Sequence, residues 1–170
     1  ITEYYEQGYL PEAMVNFLAL LGWALDDKTE IFSRKELIKH FTLERVSRTA
    51  AIFNQEKLSW MNGVYIRSLT ANAFFEAAEP YLMMDKAAGQ ALISNEGYVR
   101  NILPLIQERA RTLTEIAELA QFFLVDELDY DTDLLIGKNI SREPSNQALK
   151  AAQQKLEQLE AFDADSLEAV

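Results

Sequence analysis

Between Asn54 and Leu69 the apolar side chains Leu58, Met61, Tyr65, Ile66 and Leu69 follow one another at intervals of 3, 4, 1 and 3. Such spacing places them on one face of an α-helix, and Asn54 is a residue whose side chain caps the first free amides of a helix. The same pattern recurs along the chain. Pro11 suits the first turn of a helix in which Met14, Phe17, Leu18 and Leu21 form a stripe that Gly22 closes. Ser33 with Glu36 spells a capping box, opening a short helix whose Leu37, Ile38 and Phe41 are expected to face inward.

From Thr70 the helices become longer and richer in Ala, covering roughly 71–83, 95–110, 113–125 and 146–162. Thr70 and Ser94 are expected N-caps, and Thr112 with Glu115 is a second capping box. Pro80 and Pro104 fall inside this series, where a missing N–H and a ring clash predict a kink or break. The final helix carries a narrow apolar stripe of Leu149, Ala152, Leu156, Leu159 and Phe162 on an otherwise polar surface. No strand-like alternation and no internal repeat interrupts the series, so the expected fold class is all-α, in two parts meeting near residue 68.

Composition removes several kinds of chemistry. The 170 residues contain no Cys and a single His, His40. Disulfides, thiolate metal sites and His clusters are thereby excluded, a Ser-His-Asp triad is hard to build, and an intracellular, cytoplasmic protein is expected. The apolar run from Gln7 to Trp23 contains Glu12 and Asn16 and is too short to span a bilayer; no basic segment precedes it, so it is not expected to direct export. The acidic run from Asp126 to Asp133 lacks the order of a calcium-binding EF-hand loop and is read as a loop. No phosphate-binding Gly-rich loop, nucleophile elbow or zinc-protease pair is present, and His40 is read as structural.

The net charge of −11 is unevenly distributed. Residues 115–170 hold 13 acidic and 4 basic groups, whereas residues 31–67 hold 7 basic groups against 3 acidic ones. Screening over about 8 Å confines the influence of the distant acids, so this basic stretch can meet a polyanion or form a solvated face. On residue chemistry alone the chain is a helical binding or scaffolding module.

Three blocks go further: "YYEQGYLPEAMVNFLALLGW" (4–23), "EIFSRKELIKHFTLERVSRTAAIFNQEKLSWMNGVYIR" (30–67) and "RARTLTEIAELAQFF" (109–123). In order and spacing they resemble bacterial glutamyl-tRNA synthetase, a class I ligase, in the part that follows its K-M-S-K-S-type loop. The resemblance covers nearly the whole chain, strongly over the first 67 residues and weakly over 70–100 and after 126. It implies an all-helical stem-contact domain over 1–67 and the first anticodon-binding helical subdomain over 68–170, with a second subdomain expected beyond. It also implies tRNA-Glu as partner, with no DNA or membrane, and a monomeric parent enzyme that joins glutamate to tRNA through glutamyl-adenylate. ATP and Mg would belong to that parent and no cofactor to these residues, which lack its nucleotide-binding domain and are expected to be inactive alone.

Under this resemblance Arg45, Arg48, Lys57 and Arg67 become candidate contacts to the RNA backbone, each with the alternative of pairing with a nearby Glu. Arg109 aligns with an Arg that contacts the third anticodon base and helps exclude tRNA for glutamine; one shift in register moves the role to Arg111. The alternative for Arg109 is an Arg at the negative end of a helix. Trp60, Met61 and Tyr65 are read as core from their spacing, with stacking platforms for bases as the alternative. A competing function is a helical protein-interaction module that uses the 149–162 stripe.

Overall fold

The computed structural model describes residues 2–47, 51–125, 128 and 130–168, and every described regular element is helical. The α-helices are α1 (Thr2–Glu6), α2 (Pro11–Leu20), α3 (Arg34–His40), α4 (Gln55–Ser68), α5 (Ala71–Met84), α6 (Lys86–Ser94), α7 (Glu96–Gln107), α8 (Ile116–Leu124), α9 (Arg142–Glu157) and α10 (Ala164–Glu168). Short 3₁₀ turns occupy Leu43–Arg45, Leu113–Glu115 and Thr132–Leu135.

Local chemistry sets most boundaries. Pro11 occupies the first turn of α2. Ser33 accepts from the Glu36 amide while Glu36 accepts from the Ser33 amide, closing the capping box. That hydrogen bonding also holds the Glu36 carboxyl below its ordinary range. Asn54, Thr70, Asp85 and Asn95 cap α4, α5, α6 and α7. The cap of α7 is thus Asn95, and Ser94 ends α6, a helix that the sequence reading did not separate. Both α5 and α7 continue through Pro80 and Pro104. Each proline faces solvent, so water can satisfy the carbonyl that its missing N–H leaves free.

The chain divides into two compact units, Ile1–Asp126 and Glu127–Val170. In the first, one apolar core runs from Leu10, Ala13 and Ile66 through Phe74, Phe75, Leu82 and Leu103 to Ile116 and Ala120. Smaller clusters form around Phe17, Leu58 and Met61, and around Trp23, Phe32 and Leu37. The boundary expected at residue 67 therefore falls inside a shared core. The seam is also crossed by polar links: Leu113 N donates to Gly8 O at 3.0 Å and Tyr81 Oη donates to Tyr5 O at 2.6 Å.

Several expected core positions lie outside. On α2 the buried residues are Ala13, Asn16 and Phe17, while Leu18 is exposed. On α3 only Leu37 is buried; Ile38 is 74% and Phe41 38% exposed. The apolar face of α2 is instead organised about a polar group, the fully buried Asn16. Its amide donates to Glu30 O at 3.0 Å, and its carbonyl accepts from Phe32 N at 2.7 Å and Tyr65 Oη at 2.7 Å. A buried amide is tolerated because it replaces water for an irregular segment whose backbone groups lack helical partners.

In the second unit, α9 begins at Arg142, before the expected start at 146, and ends before Phe162. Ser145 is buried and its Oγ accepts from Gly137 N, tying the preceding loop to the helix. Arg142 pairs with Asp133. Leu149, Ala152 and Leu156 of the expected stripe are exposed.

Candidate nucleic-acid interface

Asn62, on α4 and fully buried, sets the geometry of one face of the first unit. Its Oδ1 accepts from Leu10 N at 2.8 Å, and its Nδ2 donates to Gly8 O at 3.3 Å and Arg111 O at 2.6 Å. One side chain thus joins the turn before α2, the middle of α4 and the turn after α7. Gln107, the last residue of α7, donates from Nε2 to Ile66 O at 2.8 Å and Leu69 O at 2.9 Å. This satisfies carbonyls at the end of α4 and fixes the two helix C-termini against each other.

Gly63 lies between these two anchors. A Cβ there would stand 3.1 Å from Nη1 of Arg67, the far end of a flexible side chain on the same helix, and at ordinary contact distance, 3.4 Å, from Ala110 O of the 110–111 turn. Beside this contact opens a cleft of roughly 340 Å³ lined by Trp60, Gly63, Arg67, Glu108, Arg109 and Arg111. Arg111 also lines an adjoining hollow with Gln55, Glu56 and Ser59. The turn carrying Arg111 is held from the other side by Glu115, whose carboxylate accepts from Arg111 N at 2.8 Å and from Thr112 N at 3.4 Å.

The structure gathers Arg67, Arg109 and Arg111 and separates the other candidates from them. Among the described residues no carboxylate pairs with any of these three guanidinium groups, and all three line the cleft. Lys57 pairs instead with Glu30, the outcome that a nearby acid allowed. Arg45 donates from Nη2 to Leu25 O at 2.7 Å and stands 6.0 Å from the centre of the Trp23 ring, so it braces a loop. Amide hydrogen bonds from Thr29 and Lys28, with the Arg45 charge a smaller contribution, keep the Asp26 carboxyl below its usual range. Arg48 lies outside the described residues. Arg109 follows the end of α7, its amide donating to Ile106 O at 2.9 Å.

Three forked, unpaired guanidinium groups on one cleft form a surface suited to an anion with several oxygens or to the edge of a nucleobase. The family described as "Anticodon binding domain" matches residues 73–170, which include Arg109 and Arg111.

The chain belongs to this anticodon-binding family. Residues 1–60 match a second family, described as "tRNA synthetases class I (E and Q), catalytic domain", over most of the segment read above as a stem-contact domain. The chain is 55% identical over 166 residues to a glutamate–tRNA ligase of Dehalococcoides mccartyi, covering 98% of this chain and 34% of that protein. It is 45% identical over 169 residues to the glutamate–tRNA ligase of Roseiflexus castenholzii, covering 99% and 33%. Among solved structures, the glutamate–tRNA ligase of Elizabethkingia meningosepticum in complex with its amino acid superposes with a TM-score of 0.70 at 28% identity, over 98% of this chain and 32% of that one. The enzyme from Elizabethkingia anophelis gives 0.66 at 30% identity, over 94% and 29%. The chain thus spans about a third of the length of its curated relatives. It corresponds to the C-terminal portion of bacterial glutamate–tRNA ligase: the end of the class I catalytic domain together with the anticodon-binding domain.

Of the residues lining the cleft in this anticodon-binding protein, Gly63 and Glu108 carried no expectation from the sequence, and Trp60 was expected in the core. Met61 is fully buried and Tyr65 half-buried, as their spacing indicated, but Trp60 is 45% exposed and lies in the cleft. The usable signal was the spacing of Trp60, Gly63 and Arg67 at i, i+3 and i+7, a second face of α4 beside its apolar one. Among the described residues no group of acidic and His side chains is arranged to hold a metal ion, and no helix is long and apolar enough to cross a membrane.

Proposed function

We propose that this chain is the tRNA-docking part of a glutamate–tRNA ligase, and that the α4/α7 cleft meets the RNA. The observation that carries this reading is the convergence of Arg67, Arg109 and Arg111, three guanidinium groups without carboxylate partners among the described residues, on a single cleft. The whole ligase would join glutamate to tRNA-Glu at the expense of ATP, through glutamyl-adenylate, with ATP and Mg serving the catalytic part outside these residues. Docking of the inner stem and anticodon arm here would present the acceptor end to that catalytic part.

Within the cleft Arg109 is assigned to the anticodon. A guanidinium makes two directional hydrogen bonds to a base edge, which an ammonium does not, and Arg109 sits on the turn that forms one wall. Arg67 and Arg111 are assigned to phosphates, with Arg45, Arg48 and Lys57 as further contacts along the stem.

The test is a titration of labelled tRNA-Glu against the 170-residue chain at two salt concentrations. Binding that weakens as salt rises is expected, because phosphate contacts release counterions. Absence of binding at low salt would overturn the reading and favour a protein partner. Arg109→Gln should reduce the preference for tRNA-Glu over tRNA-Gln more than it reduces binding to either; equal losses would move the anticodon role to Arg111.

A further inference from the structure

We propose that Trp60 is a stacking platform for one unpaired RNA base, making the α4/α7 cleft a single-nucleotide site and not only a phosphate contact. The proposal rests on the tRNA-binding reading and adds to it the mode of recognition.

Position comes first. The buried positions of α4 are Leu58, Met61, Asn62, Gly63 and Ile66, so the helix is already anchored without Trp60. Trp60 leaves 45% of its surface to solvent while the chain's other indole, Trp23, is buried to 2% exposure. A large aromatic ring left at the mouth of a cleft walled by arginines is the arrangement that single-stranded nucleic acids use, one ring stacking a base while cations hold the flanking phosphates.

The shape of the cleft agrees. Its volume of roughly 340 Å³ is at the lower end of small-molecule sites, of the scale of a nucleotide and far below that of a duplex groove. Gly63 lines the cleft without a side chain, beside Arg67 Nη1.

The third argument is the carboxylate. Glu108 lines the cleft with the three arginines. A surface built only for phosphate has no use for an acid, which repels it. An acid beside guanidinium donors does suit the edge of a base, because a carboxylate accepts from exocyclic amino groups while guanidinium donates to ring nitrogens and carbonyl oxygens.

The experiment follows tryptophan emission of the 170-residue chain during titration with tRNA-Glu and with short single-stranded and duplex RNAs of equal charge. Stacking on Trp60 should change the emission with tRNA-Glu and with single strands but not with duplex, and Trp60→Phe should abolish the change because Trp23 is buried. Trp60→Leu should raise the Kd for tRNA-Glu about 5- to 150-fold with an unchanged salt slope, and Trp60→Phe should recover most of that loss. By contrast, Arg67→Gln should lower the salt slope by about one. An unchanged urea midpoint in Trp60→Leu would separate stacking from a structural role. If Trp60→Leu binds tRNA-Glu like the unmodified chain, or emission stays constant while binding proceeds, the platform is refuted and the tRNA-binding reading stands. If no RNA binds at low salt, both fail together.

Discussion

Replacing Asn62 with alanine should destabilise the Ile1–Asp126 unit by about 2–4 kcal/mol. The magnitude follows from what each hydrogen bond leaves behind. Leu10 N has the Asn62 carbonyl as its partner at 2.8 Å in a buried setting, and a buried donor left without a partner costs about 1–3 kcal/mol. The two bonds donated by Nδ2 sit at the low end of an ordinary contribution, about 0.5 kcal/mol each, because Gly8 O still accepts from Leu113 N and Arg111 O is only partly buried. Urea unfolding followed by tryptophan emission isolates the effect, since Trp23 and Trp60 both belong to this unit. The midpoint should fall by roughly 1–2 M with an unchanged m-value. Asn62→Asp supplies the control on direction. At neutral pH its carboxylate keeps an acceptor for Leu10 N but faces the Gly8 and Arg111 carbonyls with no proton to offer, so it should be at least as damaging as alanine. As pH falls the protonated acid can donate again and part of the loss should return, beginning above the ordinary carboxylate range because burial and the two facing carbonyls disfavour the charge. A loss under about 0.5 kcal/mol for Asn62→Ala would refute the claim that this amide holds the three segments together.

Gly8→Ala should be more damaging than an ordinary surface change. Gly8 has φ +82°, and a Cβ would lie 2.6 Å from the amides of Leu113 and Thr114, so left-handed strain adds to a clash with backbone; a cost above about 2 kcal/mol is expected in the same urea assay. Lys57→Ala should alter stability by less than about 1 kcal/mol and weaken tRNA-Glu binding less than Arg67→Ala does, because Lys57 already spends its charge on the exposed Glu30; parallel titrations compare them. Burial raises the Tyr65 and Tyr81 phenols above their ordinary value of 10.0, so the folded state favours their neutral forms. The stability they contribute is full below pH 10 and is lost as pH rises through their folded values; melting temperatures across the alkaline range should fall less steeply in Tyr65→Phe.

Local signals in the sequence were read well where their physics is local. The capping pair Ser33 and Glu36, the caps at Asn54 and Thr70, and Pro11 at its helix start depend on neighbours within four residues, and each lies where its chemistry placed it. Periodicity was less informative about how much of a helix is covered. It identified an apolar side of α3, but only Leu37 is buried; Phe41 reaches the Trp23 ring from just past the helix end and Ile38 stays exposed, because the helix is seven residues long and meets its neighbours over one turn. On α2 the buried face centres on Asn16, a polar residue that hydropathy scores as surface; its burial is intelligible only once Glu30, Phe32 and Tyr65 surround it. The site divides likewise. Arg67, Arg109 and Arg111 were identifiable as cations, but their meeting depends on Asn62 and Gln107, whose partners lie 38–54 residues away. Lys57 and Arg45 had the same appearance in sequence, and their commitment to Glu30 and Leu25 depended on the same kind of distant contact.

The bonds of Asn62 carry a consequence for the order of folding. They close loops of 49–54 residues, and the Thr114 hydroxyl reaches across 107 residues to Gln7 O. Helices capped by their own neighbours form within microseconds, whereas closing loops of this length must first overcome chain entropy. During synthesis α1 to α4 can therefore become helical while Trp60 and Arg67 still have no opposite wall. Arg109, Arg111 and the Glu115 that fixes their turn join them only after the chain has grown past residue 115. A nascent chain that stops short of that point lacks the basic cleft, so on the proposed reading its capacity for RNA is acquired in one late step, shortly before α8 closes the first unit.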